Sequence, residues 1–404
     1  MSWRSASVMD EKLAFIAACL SGDDSMTVLC ARHGISRQTG YQLKRRYLAE
    51  GARGLDERSR APHRHGRATS AAVVVQIVEA RRARPHWGPK KLLAVLQRTA
   101  PEQRWPSPAT VSDILRREGL SQPRKLRRRP LTVDQPFAAA VLPNDAWCID
   151  FKGWFRTGDG ARCDPFTVSD AMSRYLLAAH LLPIDGARVQ AQMDELFQSY
   201  GLPLAIRSDN GPPFASTGAG GLTRLSARWA KMGLALERIQ PGRPQQNGRH
   251  ERMHRTLKAE ACVPAAATPA QQQARLDAFR HTFNHERPHE ALGQRQPADL
   301  YAPSPRRFVE PKDDPDYGDD QVRRVRSSGE IKWRGGMLFL SEALVGEAVG
   351  IQEREDGHHL VRFNHVPLGL IDRDTGKLVR FGPGRPPRPK APKHPENLSA
   401  IYPG

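Results

Sequence analysis

Residues 147–153 read Trp-Cys-Ile-Asp-Phe-Lys-Gly, inside an aromatic and apolar run from Asn144 to Phe155. That composition predicts a buried strand. A carboxylate in the middle of a core strand is costly unless it is paired or metal-bound, so Asp150 demands a partner. Outward from this strand, residues 166–169, 174–182, 204–208 and 234–239 have strand character, and 187–200 and 222–232 have helical character. Asp170 to Ser173 reads as a hairpin turn between the second and third strands. With a late helix from Arg249, the order β-β-β-α-β-α-β-α predicts a mixed α/β layer. The first three strands form a meander and the last two are reached by helix crossovers.

Two further carboxylates fall where this layout can use them. Asp209 ends the fourth strand in Ser208-Asp-Asn-Gly211. Alone, it reads as a turn-capping residue. Glu251 lies in Pro244–Glu260, PQQNGRHERMHRTLKAE, which begins as a loop and continues as a helix. On that helix Glu251, His254, Arg255 and Lys258 share one face, while Met253, Leu257 and Ala261 share an apolar one. Alone, the charged face reads as solvated, with Glu251 and Arg255 paired. With Asp150 central, Asp209 on a neighbouring strand and the helix alongside, all three carboxylates reach one edge of the sheet. Convergent oxygens suit Mg²⁺, a hard ion that keeps waters and takes further ligands from phosphate. Two such ions about 3.5–4 Å apart serve in-line phosphoryl transfer, with Mn²⁺ able to substitute. No His or Cys is expected to accompany the three carboxylates at zinc-ligand spacing, which argues against zinc.

The head of the chain supplies a grip. Residues 10–50 predict three helices, 12–20, 26–32 and 37–48, with a turn at Gly34 and Ser36 as N-cap of the third. This is the helix-turn-helix layout, and Arg37, Gln38, Tyr41, Gln42, Lys44 and Arg45 are its candidate DNA contacts. Residues 71–84, 90–98 and 109–118 repeat the plan, with Thr110 and Arg116 on the candidate reading helix. The expected domains are 1–60 and 67–120, both helix-turn-helix. A basic linker at 121–139 carries Arg127 and Arg128, and the α/β core spans 140–301. Beyond a linker at 302–320, a small all-β barrel of the SH3-like kind is expected at 321–381, then a Pro-rich basic tail at 382–404. Trp147 and Trp154 are expected to pack around the first strand, Trp87 and Trp105 to anchor cores, and His358 and His359 to lie at the surface.

Charge agrees with a polyanionic partner. Lys and Arg number 62 against 43 Asp and Glu, a net +19, and residues 1–137 hold 26 against 12 of them. A chain this basic is expected to meet nucleic acid. Five cysteines without a C-x-x-C pair fit a reducing cytoplasm. No signal peptide is evident, and the longest apolar stretch, Tyr175–Ile184, is about half a membrane span. The expected setting is therefore a reducing cytoplasm, with no membrane contact.

Four ordered motifs, DFKG at Asp150, SDNG at Asp209, PQQNGRHE at Glu251 and FNHERPHEALGQRQPADLY at 283–301, resemble the integrase core of bacterial insertion-sequence DDE transposases, a core that retroviral integrases share. The resemblance covers about residues 140–301, and less specifically the head and tail. It implies an RNase H-like fold with Asp150, Asp209 and Glu251 as catalytic metal ligands. It further implies that Lys258 and Arg255 lie near the DNA and that Asn247 sits in the active-site loop. The implied partners are double-stranded DNA, as transposon ends and target, and further copies of the chain, at least a dimer on DNA. One departure stands out: retroviral integrases begin with a His-His-Cys-Cys zinc domain, which has no counterpart here. Two alternatives stay open at this point, a helix-turn-helix regulator with an inactive core and an RNase H-like nuclease.

Overall fold

The computed structural model describes residues 7–58, 68–121, 140–239, 248–311 and 313–381. Two compact units divide between Ser70 and Ala71. In the first, α1 (Val8–Ser21), α2 (Met26–Arg32) and α3 (Arg37–Glu50) enclose Phe15, Ile16, Leu29, Leu43 and Leu55. α1 starts four residues earlier than the sequence suggests, because Ser7 and Asp10 form a capping box. The N-cap of α3 is Ser36, whose hydroxyl accepts from Thr39 N at 3.1 Å. Gly40 lets α3 lie flush on its neighbours: a Cβ there would stand 2.5 Å from Cys30 Sγ and 3.0 Å from Phe15. The outer face of α3 is left to solvent.

The second unit opens with another three-helix element, α4 (Ala71–Ala83), α5 (Pro89–Thr99) and α6 (Pro108–Arg117). Its core is Ile77, Trp87, Leu92, Val111 and Leu115. Pro at the first turn of both α5 and α6 uses a position whose N–H has no helical partner.

The α/β core follows: β1 (Ala146–Phe151), a short hairpin of β2 (Phe155–Arg156) and β3 (Arg162–Cys163), β4 (Pro165–Asp170), β5 (Leu176–Leu181), α7 (Gly186–Tyr200), β6 (Ala205–Ser208), α8 (Arg224–Lys231), β7 (Ala235–Arg238), α9 (Gly248–Leu257) and α10 (Pro269–His285). The strand order is β5-β4-β1-β6-β7. β4 and β5 run antiparallel to their neighbours, while β1, β6 and β7 are mutually parallel. This is the expected RNase H-like arrangement, and β1 is central.

Successive side chains of a strand face opposite sides, which sorts β1. Trp147 and Ile149 enter the core beneath α7 and α8, with Val189, Met193, Phe197 and Trp229. Asp150 therefore faces the other layer, where Met253 and Leu257 of α9 pack with Phe279 and Phe283 of α10. That layer is pinned by Asn284, whose amide donates to Leu176 O at 2.9 Å and accepts from Leu176 N at 2.8 Å. Beyond Leu257 the helix widens into a π turn over Lys258–Cys262.

At the C-terminus β8 (Gln321–Arg324), β9 (Glu330–Trp333), β10 (Gly336–Phe339), β11 (Ala348–Glu353), β12 (His359–Phe363), β13 (Val366–Ile371) and β14 (Leu378–Arg380) follow. The expected closed barrel is corrected: five strands form an open sheet in the order β14-β13-β12-β11-β8, and β9 and β10 pair separately. The physical reason is that α8 and the residues before it help to cover the sheet. Leu222, Ala227 and Ala230 share one apolar core with Val349, Val361, Phe363 and Leu368. Asn364 Nδ2 donates to Ala230 O at 2.8 Å, and Lys231 pairs with Glu347 at 2.8 Å. His359, expected at the surface, is 3% exposed and packs edge-on against Trp333. Among the described residues no helix is long and apolar enough to cross a membrane.

Candidate active site

The parallel pairing of β1 with β6 sets Cys148 opposite Arg207. Two residues further along the same register, Asp150 stands beside Asp209, just past the end of β6. Asp209 is held in its turn by Gly211 N, which donates to its carboxylate at 3.2 Å. Glu251 lies in the first turn of α9 and is exposed. Burial raises the Asp150 pKa from 3.8 to about 7, with further upward pushes from the charges of Asp209 and, more weakly, Glu251. Asp209 and Glu251 thus both lie within electrostatic reach of Asp150. Arg238 flanks them, its guanidinium lowered to about 10 by burial and drawn back up by Asp209.

Beneath Asp150 is a polar network that the sequence reading passed over. Residues 250–254 read His-Glu-Arg-Met-His, a spacing known on zinc-binding helices, so the pattern itself was the missed signal. Here both Nε2 atoms converge on the Thr167 hydroxyl of β4 instead, at 2.8 Å from His250 and 2.7 Å from His254. A hydroxyl occupies the position where a zinc protease would hold its metal. Thr167 Oγ1 also donates to Asp150 O at 3.1 Å, and Ser169 Oγ lies 3.0 Å from His250 Nδ1. One tautomer set satisfies these four contacts: both imidazoles donate from Nε2, Thr167 donates to the carbonyl, and Ser169 donates to His250. Burial holds both rings neutral, His250 at about 3 and His254 at about 2, where His250 and Lys152 add to the lowering. The expectation that His254 shares the open face of Glu251 is corrected, since it is 8% exposed and turned toward β4. Met253 and Leu257 are buried as expected.

Asp170, set aside as a turn residue, is 1% exposed. Its carboxylate accepts from Asn144 N, Ser173 N and Ser173 Oγ at 2.6–2.7 Å, so it ties the β4–β5 turn to the start of β1. Trp154 departs from expectation in the other direction and is 57% exposed. On the β2–β3 hairpin, Trp154, Arg156 and Arg162 share the outer face, because Arg156 pairs with Arg162 and Trp154 is two residues from Arg156. The two guanidinium groups lie 5.8 and 5.4 Å from the indole centroid. Phe155, facing inward, packs under α9 and α10.

Of the candidate DNA contacts, Arg37, Gln38, Tyr41, Gln42 and Arg45 are exposed on α3. Lys44 is half-buried and its Nζ donates to Cys19 O at 3.4 Å. Thr110 is half-buried in the first turn of α6, its hydroxyl 3.0 Å from Ser107 Oγ. Arg116 is exposed and pairs with Asp113 at 2.9 Å. Arg255 and Lys258 are exposed beside Glu251. Arg127, Arg128 and Asn247 lie outside the described residues.

Family comparisons meet this geometry from several directions. Integrase core domain families match residues 140–244 and 232–297. A helix-turn-helix domain family matches 11–63 and a homeodomain-like family 39–115. The C-terminal domain family of IS481 transposases matches 320–378. The chain belongs to the insertion-sequence transposases with an integrase-like core. The integrase core and helix-turn-helix matches together are those of a DNA-binding transposase of the DDE type. An uncharacterized 31.7 kDa protein of insertion element IS407 from Burkholderia multivorans is 28% identical to this transposase over 237 residues, covering 57% of this chain and 80% of that one. An uncharacterized 39.2 kDa protein of IS476 from Xanthomonas euvesicatoria is 30% identical over 185 residues, 44% of this chain and 50% of that one. The solved catalytic core of BIV integrase aligns at 22% identity with a TM-score of 0.30, covering 39% of this chain and 93% of that one.

Proposed function

We propose that the transposase binds the terminal inverted repeats of its insertion sequence through α3 and α6, frees a 3′-OH at each end, and joins that 3′-OH to target DNA. Asp150, Asp209 and Glu251 are the proposed ligands of two Mg²⁺ ions, replaceable by Mn²⁺. The observation that carries the reading is a buried carboxyl on the central strand with the negative charges of Asp209 and Glu251 close by, which together lift it to about 7. Such a site is short of positive charge, and its donors are hard oxygens, so a divalent cation fits. When bound, the ions supply charge neutralisation and activation of the attacking oxygen in an in-line displacement.

The chain's own residues do the positioning. β1 carries Asp150, and Asp209 follows directly on the neighbouring strand β6. Burial of Met253 and Leu257 fixes the rotation of α9, and so the direction of Glu251. Arg255 and Lys258, on the exposed side of that helix, are placed to meet phosphates. Both ends must be joined together, so the active form is proposed to be at least a dimer on DNA. The setting is proposed to be the bacterial cytoplasm, at the nucleoid. The test is Asp150→Asn and Asp209→Asn in a strand-transfer assay with labelled end DNA: specific end binding is retained while both cleavage and joining disappear. Joining at the unaltered rate by either variant would reject the ligand assignment.

A further inference from the structure

α9 bears two buried histidines, and they are not equivalent. Both nitrogens of His250 are used, Nε2 on Thr167 and Nδ1 on Ser169. With the Thr167 hydroxyl proton on Asp150 O, His254 donates from Nε2 to Thr167 and its Nδ1 carries a lone pair, 3.8 Å from Asp150 Oδ2. That separation is too long for a hydrogen bond, and once Asp150 is ionised both atoms are acceptors. Two acceptors set face to face in a partly buried site call for a cation between them. Two donor atoms about 2.1 Å from one ion stand about 3.0–3.5 Å apart at octahedral or tetrahedral angles, so the observed 3.8 Å pair needs to close by about 0.8 Å for an octahedral ion. A ligating histidine also ordinarily gives its other N–H to a fixed acceptor, which sets the tautomer. Thr167 does this for His254 and is itself held by the backbone carbonyl of Asp150.

We propose that His254, through Nδ1, is a further ligand of the metal ion held by Asp150, so that the site offers one imidazole nitrogen beside its three carboxylates. The inference rests on the carboxylate reading above. Its chemical consequence is a cation preference. A nitrogen donor favours Mn²⁺ and later divalent metals over Mg²⁺ more than an all-oxygen site does.

The test is pulsed EPR on the untagged full chain loaded with Mn²⁺, alongside calorimetric titration with Mn²⁺ and Mg²⁺. The wild-type protein should show the nitrogen coupling of a directly bound imidazole. His254→Gln should still bind Mn²⁺ through the carboxylates, lose that coupling, and show its Mn²⁺ over Mg²⁺ preference reduced at least about tenfold. His250→Gln should keep the coupling. Bound Mn²⁺ without nitrogen coupling in the wild type overturns the proposal, and this holds whether or not the variants fold. Loss of coupling in His250→Gln with retention in His254→Gln overturns it as well. Asp150→Asn separates the two readings: if it binds Mn²⁺ as tightly as wild type, the carboxylate assignment itself has failed.

Discussion

Replacing Asp150 by Asn should stabilise the metal-free transposase at neutral to alkaline pH while destroying its chemistry. Burial and the nearby charges of Asp209 and Glu251 raise the carboxyl pKa from 3.8 to about 7 in the fold. The sign follows from linkage: a carboxyl group whose folded pKa is raised disfavours the folded state once it ionises. Its cost is absent below about pH 4, grows between about 4 and 7, and is complete above. The full displacement corresponds to about 4 kcal/mol. The side chain is 23% exposed, and local relaxation with water entry reduces the cost to roughly 2 kcal/mol. For a unit of this size that is a rise of about 4 °C or more in melting temperature. The assay is thermal unfolding of both proteins in EDTA at pH 4 and pH 8, repeated with Mg²⁺ or Mn²⁺. The variant should melt higher than wild type at pH 8, match it at pH 4, and gain much less from the metal. Equal melting at pH 8 in EDTA, or a variant that melts lower, would refute the electrostatic account of the site.

Other perturbations test the rest of the structure. Gly40→Val forces atoms against Cys30 Sγ and Phe15. It should cost the first unit about 1–3 kcal/mol and weaken end binding, and an unaltered melting profile would show that α3 does not pack as described. Asn284→Ala strands the N–H and C=O of Leu176, at about 1–3 kcal/mol for each group, which denaturant titration should register as lower stability. Trp154→Ala removes an exposed ring flanked by two arginines. If the hairpin meets DNA, affinity should fall by about 1–3 kcal/mol in a fluorescence binding assay, with melting unaffected; undiminished affinity would assign the ring to solvent.

Much of the core was legible because its signals are local. The aromatic and apolar run around Trp147 and Ile149, and the apolar spacing of Met253 and Leu257, announce their elements without tertiary information. Of the three carboxylates only Asp150 is hard to explain alone; Asp209 and Glu251 have ordinary readings, as a turn cap and a solvated helix face, and are picked out by the layout and the motif resemblance. The rest depends on contacts made at a distance. That Trp154 is exposed follows from the β2–β3 hairpin, whose two-residue strands are too short for any periodic pattern. Burial of His254 follows from the hydroxyl of Thr167, which lies 87 residues earlier. The C-terminal sheet has the strand-and-turn rhythm of a barrel, and only the packing of α8 explains why it stays open.

That packing bears on how the molecule can be divided. The interior formed by Leu222, Ala227 and Ala230 with Val349, Val361 and Phe363 crosses the stretch that looks, along the chain, like a joint between modules. A protein truncated at about residue 310 would carry raw apolar surface on α8 and should be prone to clump. A tail borrowed from a relative would fit only if its residues matched the α8 side that it must cover. The end of the chain is therefore inherited with the middle, and the seam visible in the sequence does not continue into the interior.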